Sequence, residues 1–138
     1  MENQDQNVGK ENMLELRAKN EVQKIKLAEQ SLDKNNSLKH SLNQILDNKI
    51  FERKLMLDNG DEPSQALMDE IDCVQQELDE TELAIVNNQE LLSCHYGSAR
   101  QAINELRKYN PKKANELENS ISLKAKNSSS ISKNIRRI

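Results

Sequence analysis

Apolar residues recur along this chain at helical spacing, most regularly between Asp61 and Asn110. One column there reads Ile71, Leu78, Ile85, Leu92, Ala99, Leu106, six apolar side chains at a strict interval of seven. That interval marks position a of a helix that packs along a seam. The companion d column is mixed: Leu67, Val74, Thr81, Asn88, His95, Ala102 and Tyr109. The seam therefore has a definite direction and a half-polar lining, and its far end can stay open for a second partner. Unbroken, this stretch of helix would span roughly 75 Å at about 1.5 Å per residue. Gly97 is its weak point, costing about 1 kcal/mol in a helix interior. It falls at heptad position f, away from the seam, and the a column continues in phase to Leu106, so the helix is expected to pass through it.

Upstream, residues 1–11 are polar and read as disordered. A first helix is expected over 12–58. Its stripe begins Leu14, Ala18, Val22, Ile25, Leu32 and resumes as Leu38, Leu42, Ile45, Ile50, Leu55, Leu57. Asp33 to Ser37 interrupts it, so one long helix is preferred and two stacked helices are the alternative. Asp58-Asn-Gly-Asp-Glu-Pro-Ser64 is the clearest turn. Gly60 suits a left-handed C-cap, Asp61 can cap the next helix, and Pro63 fits its first turn. A short loop between two long amphipathic helices implies an antiparallel hairpin. Downstream, Asn110 and Pro111 read as N-cap and N1 of a short third helix over 111–126, with Ala114, Leu117, Ile121 and Ala125 on one face. Residues 127–138 read as a flexible basic tail with Ile131, Ile135 and Ile138 on one helical face. The fold class is therefore all-α, a single helical domain over 1–138. It is either an elongated antiparallel hairpin or a three-helix coiled-coil-like bundle.

Composition narrows the picture. With 35% hydrophobic residues, one Phe, two Tyr and no Trp, the chain lacks bulk for a thick core. Helices that each bury one stripe need no more. Seventeen Asn lower helix propensity, so these helices depend on tertiary contacts. The net charge of −3 hides a segregation. Residues 1–54 carry ten basic and nine acidic side chains, 55–99 eleven acidic and no basic, and 100–138 ten basic and three acidic. The central run argues against nucleic acid as a partner. It suits a basic partner, docking against the chain's own basic end, or simply a solvated acidic face. The first residues lack a basic n-region and an apolar h-region, and no apolar run approaches the roughly 18 residues of a membrane span. A cytoplasmic protein without stable membrane insertion is expected, with Cys73 and Cys94 as free thiols.

Candidate chemistry is sparse. The chain has no Gly-rich phosphate loop, CxxC, HExxH or G-x-S-x-G. Cys94 and His95 are adjacent, so on a helix they point about 100° apart and do not form a nucleophile–base pair. Cys73 and Cys94 share heptad position c but lie roughly 30 Å apart along one helix, too far to bridge. A zinc site would need two further ligands from an oligomer. The expectation is a non-enzyme with no metal and no cofactor. What remains is binding. Leu91, Leu92, Ala99, Ala102, Ile103 and Leu106 form a broad apolar strip. Its small residues at 99 and 102 leave a shallow groove, where either a partner's amphipathic helix or the chain's own first or third helix could lie.

Asn88-Gln-Glu-Leu91-Leu92 followed by Gln101-Ala102-Ile103-Asn104-Glu105-Leu106 resembles the late-helix signature of the FlgN-type flagellar export chaperones. Leu42, Ile45 and Lys49 are similar to that family's first-helix pattern. Two positions depart from it. Gln89 stands where Gly often follows the Asn, and Tyr109 is followed by Asn110 rather than Gly. The resemblance implies a cytosolic secretion chaperone, monomer or homodimer. It would bind the amphipathic terminal helix of a hook–filament junction (hook-associated) protein, prevent premature assembly, and deliver the client to components of the flagellar type III export apparatus. It also places client binding at Leu91, Leu92, Ala99, Ala102, Ile103 and Leu106. The alternatives are a coiled-coil scaffold or oligomerisation module, in which Thr81 and Asn88 would set register, and an adaptor working through its basic tail.

Overall fold

The computed structural model describes residues 2–121, with side chains from residue 8 onward. The expectations for Ala125 and for the tail over 127–138 lie outside the described residues. Within them the protein is all-α, with no strand. Helix α1 runs Glu2–Asp58 and helix α2 runs Gln65–Arg107. A third helix, α3, covers residues 111–121 up to the limit of the description.

Helix α1 starts ten residues earlier than the sequence led us to expect. No proline interrupts residues 2–11, and extending an existing helix is far easier than nucleating one. It also runs without a break through 33–37. There Asp33, Lys34, Asn36 and Ser37 are exposed, so the interruption is a polar patch on the outer side. The end of α1 is a Schellman motif. Gly60 takes φ +83°, its N–H donates to the Leu57 carbonyl at 3.0 Å, and the Asp61 N–H donates to the Met56 carbonyl at 2.9 Å. Helix α2 begins four residues later than expected. Ser64, not Asp61, is the cap: its Oγ accepts the Leu67 N–H at 3.2 Å. Pro63 lies just before the cap, outside the first turn. Helix α2 passes through Gly97 and ends at Arg107 rather than Asn110, because Tyr109 and Asn110 already fold back onto the Leu106 carbonyl. Asn110 then caps α3, its Oδ1 accepting the Lys113 N–H at 3.1 Å.

All six residues of the α2 a column are buried, as is Thr81 in the d column. Thr81 turns its hydroxyl inward, donating to the Glu77 carbonyl at 2.8 Å. The α1 seam differs from expectation beyond Leu32. Leu38, Ile45, Ile50, Leu55 and Leu57 are exposed, whereas Leu42 and Leu46 are buried and Met56 half-buried. The reason is register. Two strict heptad columns run down α1: Leu14, Glu21, Ala28, Asn35, Leu42, Lys49, Met56, and Ala18, Ile25, Leu32, Lys39, Leu46, Arg53. Every member is buried or half-buried. Lys39, Lys49 and Arg53 occupy seam positions because a long aliphatic stem can cover apolar surface while its charge reaches water or a carboxylate.

The contacts gather in two compact units rather than one. Unit 2, residues 28–90, is an antiparallel hairpin of the end of α1 and the start of α2. Its core joins Leu42 and Leu46 to Leu67, Ile71 and Leu78, with Met56 and Val74 packed against them. Lys49 Nζ meets Glu70 at 2.6 Å and Lys39 Nζ meets Glu82 at 3.7 Å. Part of the acidic run is thus answered by basic residues of α1. Unit 1 comprises, among the described residues, 2–27 and 91–121. Its buried apolar side chains come from all three helices: Ala18, Val22 and Ile25 of α1, the late seam of α2, and Ala114 and Ile121 of α3.

Candidate client-binding strip

The six strip residues all belong to unit 1, but α2 brings only five of them to its covered side. Five are covered. Ala99, Ala102 and Leu106 are fully buried, Ile103 is 1% exposed and Leu92 8% exposed. Only Leu91, 53% exposed, faces solvent. The strip is part of the unit 1 core in this state, and a partner's helix reaches it only if something moves. A consequence follows for mutagenesis. Replacing Leu106 by Glu, as a test of binding at the strip, puts a carboxylate at a fully buried position. Such a change costs several kcal/mol.

Polar ties hold the cover. Lys113 of α3 donates to Glu15 of α1 at 2.8 Å, and Lys19 pairs with the same carboxylate at 2.9 Å. The Lys113 hydrogen bond, followed by that from Lys19, lowers the Glu15 pKa below its ordinary value. The same bond to Glu15 raises Lys113. Arg107 pairs with Glu118, linking the end of α2 to α3. Asn110 Nδ2 donates to Glu11 at 2.8 Å, and Arg17 meets Glu105 at 2.9 Å. Most of these side chains are a third to a half exposed, so each pair adds little stability. Glu15, 14% exposed, is the best sheltered.

Two open clefts flank the strip. One of about 90 Å³ is lined by Arg100, Ile103, Asn104, Glu118 and Ile121, where α3 meets α2. The other, about 370 Å³, lies among Lys10, Met13, Leu14, Glu105, Lys108 and Tyr109. Met13, 73% exposed, is unpartnered apolar surface that the stripe analysis passed over. Its position between Asn12 and Leu14, one residue off the heptad column, was the available signal. Both cysteines are exposed and unbridged. Among the described residues no three His, Cys, Asp or Glu side chains gather as a metal site would require, and no helix is long and apolar enough to cross a membrane.

Compared with known proteins, the chain matches no family model, no curated protein and no solved structure.

Proposed function

We propose that this protein is a secretion chaperone of the FlgN type. It takes up the amphipathic terminal helix of a hook-associated protein on the α2 strip and hands it to the flagellar export apparatus. The observation that carries the reading is the nature of the cover. Over its described residues, 111–121, helix α3 contributes two buried side chains, Ala114 and Ile121, and is tied down by solvent-reached ion pairs. A client helix with larger apolar side chains can compete for the same strip. In its absence α3 stays beside Ile103. The cover thus gives reversible holding without aggregation, and the resemblance of Asn88 to Leu92 and Gln101 to Leu106 to the family signature is what suggests the client.

The test is light scattering and titration with the C-terminal helical segment of a hook–filament junction protein. A one-to-one complex whose formation releases α3, read as faster amide exchange over 111–121, supports the reading. Failure to bind the segment, or binding with α3 still protected, removes it.

A second reading, a coiled-coil scaffold, draws on Phe51, Leu55 and Leu57, which are 60%, 47% and 56% exposed near the hairpin loop. It requires a self-oligomer that ignores the client segment and dissociates when Phe51 is replaced by Ser.

A further inference from the structure

Unit 2 carries a groove of about 270 Å³ along one edge of its hairpin. Leu42 and Thr81 are its buried lining, Ala84 is half-buried, Leu38 is 46% exposed, and Glu77 and Glu80 are the exposed acidic residues beside them. Because Thr81 spends its hydroxyl on the Glu77 carbonyl, it adds a methyl rather than a polar group to this lining. One heptad beyond Leu38 along α1, Ile45 is likewise 43% exposed. An apolar edge of this kind can accept another helix.

The electrostatics select the occupant. Between Gln65 and Ala99, α2 carries eight carboxylates and no Lys or Arg. Among the described residues, only Glu70 and Glu82 of these meet a cation. Asp69, Asp79 and Glu80 instead accept from the neutral amides of Gln65, Gln75 and Gln76, four residues earlier on the same helix. A neutral donor orients a carboxylate but leaves its charge in place, so the repulsion along the helix stays uncompensated. A second copy presenting the same edge would add the same carboxylates. A helix with Lys or Arg flanking its apolar face would neutralise them.

We propose that this groove docks a basic amphipathic helix of another protein. The partner's apolar residues lie over Leu38 and Ile45, and its Lys or Arg side chains reach Glu77 and Glu80. The inference does not rest on the chaperone reading, because the client strip belongs to unit 1 and this groove to unit 2.

The experiment titrates the full chain with a fluorescent Leu/Lys amphipathic peptide of roughly twenty residues, long enough to hold a helix, and with its Leu/Glu counterpart. The Leu/Lys peptide is expected to bind, with affinity falling as salt is raised, and the Leu/Glu peptide not to bind. Glu77→Gln with Glu80→Gln, and separately Leu38→Ser, should each weaken binding about tenfold or more. Asp72→Asn, outside the groove, should change it less than about threefold. All these positions are exposed, and matching circular dichroism melts verify the fold. Absent binding, equal binding of both peptides, or an Asp72→Asn effect as large as that of the groove variants overturns the proposal. A wild-type dimer dissolved by Leu38→Ser would give the groove to a second copy. A chain ending at residue 127 that gains affinity would give it to the chain's own C-terminal segment. Either result also overturns the proposal.

Discussion

If α3 is a displaceable cover, weakening it should tighten client binding rather than abolish it. Ile121→Ala is the perturbation to use. Ile121 is 4% exposed and lines the small cleft against Arg100 and Ile103, so its truncation loosens α3 without touching the strip itself. Removing a buried Ile side chain costs about 2–5 kcal/mol. The lower end applies at a site bordered by an open cleft, where solvent can fill the space left. A client that needs α3 open binds with an affinity reduced by the fraction already open. Raising that fraction by about 2 kcal/mol should therefore tighten binding up to roughly thirtyfold, at about 1.4 kcal/mol per tenfold. Fluorescence anisotropy with the labelled client segment reads the affinity, and amide exchange over 111–121 verifies that α3 has loosened. Loosened exchange with unchanged or weaker client binding would refute the competition mechanism and leave α3 as ordinary core.

Further outcomes follow from single residues. Among the described residues the Asn88 amide nitrogen is buried without a hydrogen-bond partner, so Asn88→Leu should raise stability by about 1 kcal/mol in urea denaturation; a lower midpoint would mean that the polar layer contributes structure rather than cost. Gly60→Ala forces a side chain into φ +83° and should destabilise by about 1 kcal/mol. Gly97→Ala, in an unobstructed helix interior, should stabilise by a similar amount, so melts that move the same way for both would contradict the assigned geometry. The Glu15–Lys113 bond predicts a two-sided pH profile for α3. Because Glu15 is lowered in the folded state, its contribution is complete above its ordinary value of 4.5 and is lost as pH falls through the folded pKa. Because Lys113 is raised, its contribution is complete below 10.5 and is lost as pH rises through its folded pKa. An NMR titration of Glu15 should move upward in Lys113→Met, and an unmoved curve would remove the bond from the account.

What was legible in the sequence is what short-range chemistry and periodicity decide. The α2 a column from Ile71 to Leu106 was readable because a spacing of seven names one face of a helix wherever the helix lies. Gly60 and Asn110 were readable because a C-cap and an N-cap are satisfied within a few residues. The start of α2 was harder. Asp61 was the expected cap with Pro63 in the first turn, and the backbone path chose Ser64 instead. The far half of the α1 seam was not legible, because Lys39, Lys49 and Arg53 take seam positions while Leu38 and Ile45 stay outside. Their places are set by the register against α2 and by Glu70 and Glu82, carboxylates 21 and 43 residues away in sequence. The state of the strip was the least legible. Periodicity shows that Ala99, Ala102, Ile103 and Leu106 form an apolar face, but burial is a property of what lies opposite. Here unit 1 supplies Ala18, Val22 and Ile25 of α1 and Ala114 and Ile121 of α3. The sequence alone determined which face of α2 seeks cover; tertiary structure decided the covered face of α1 and what lies against each, because hydrophobic attraction is non-directional and selects a partner only through the geometry of the whole packing.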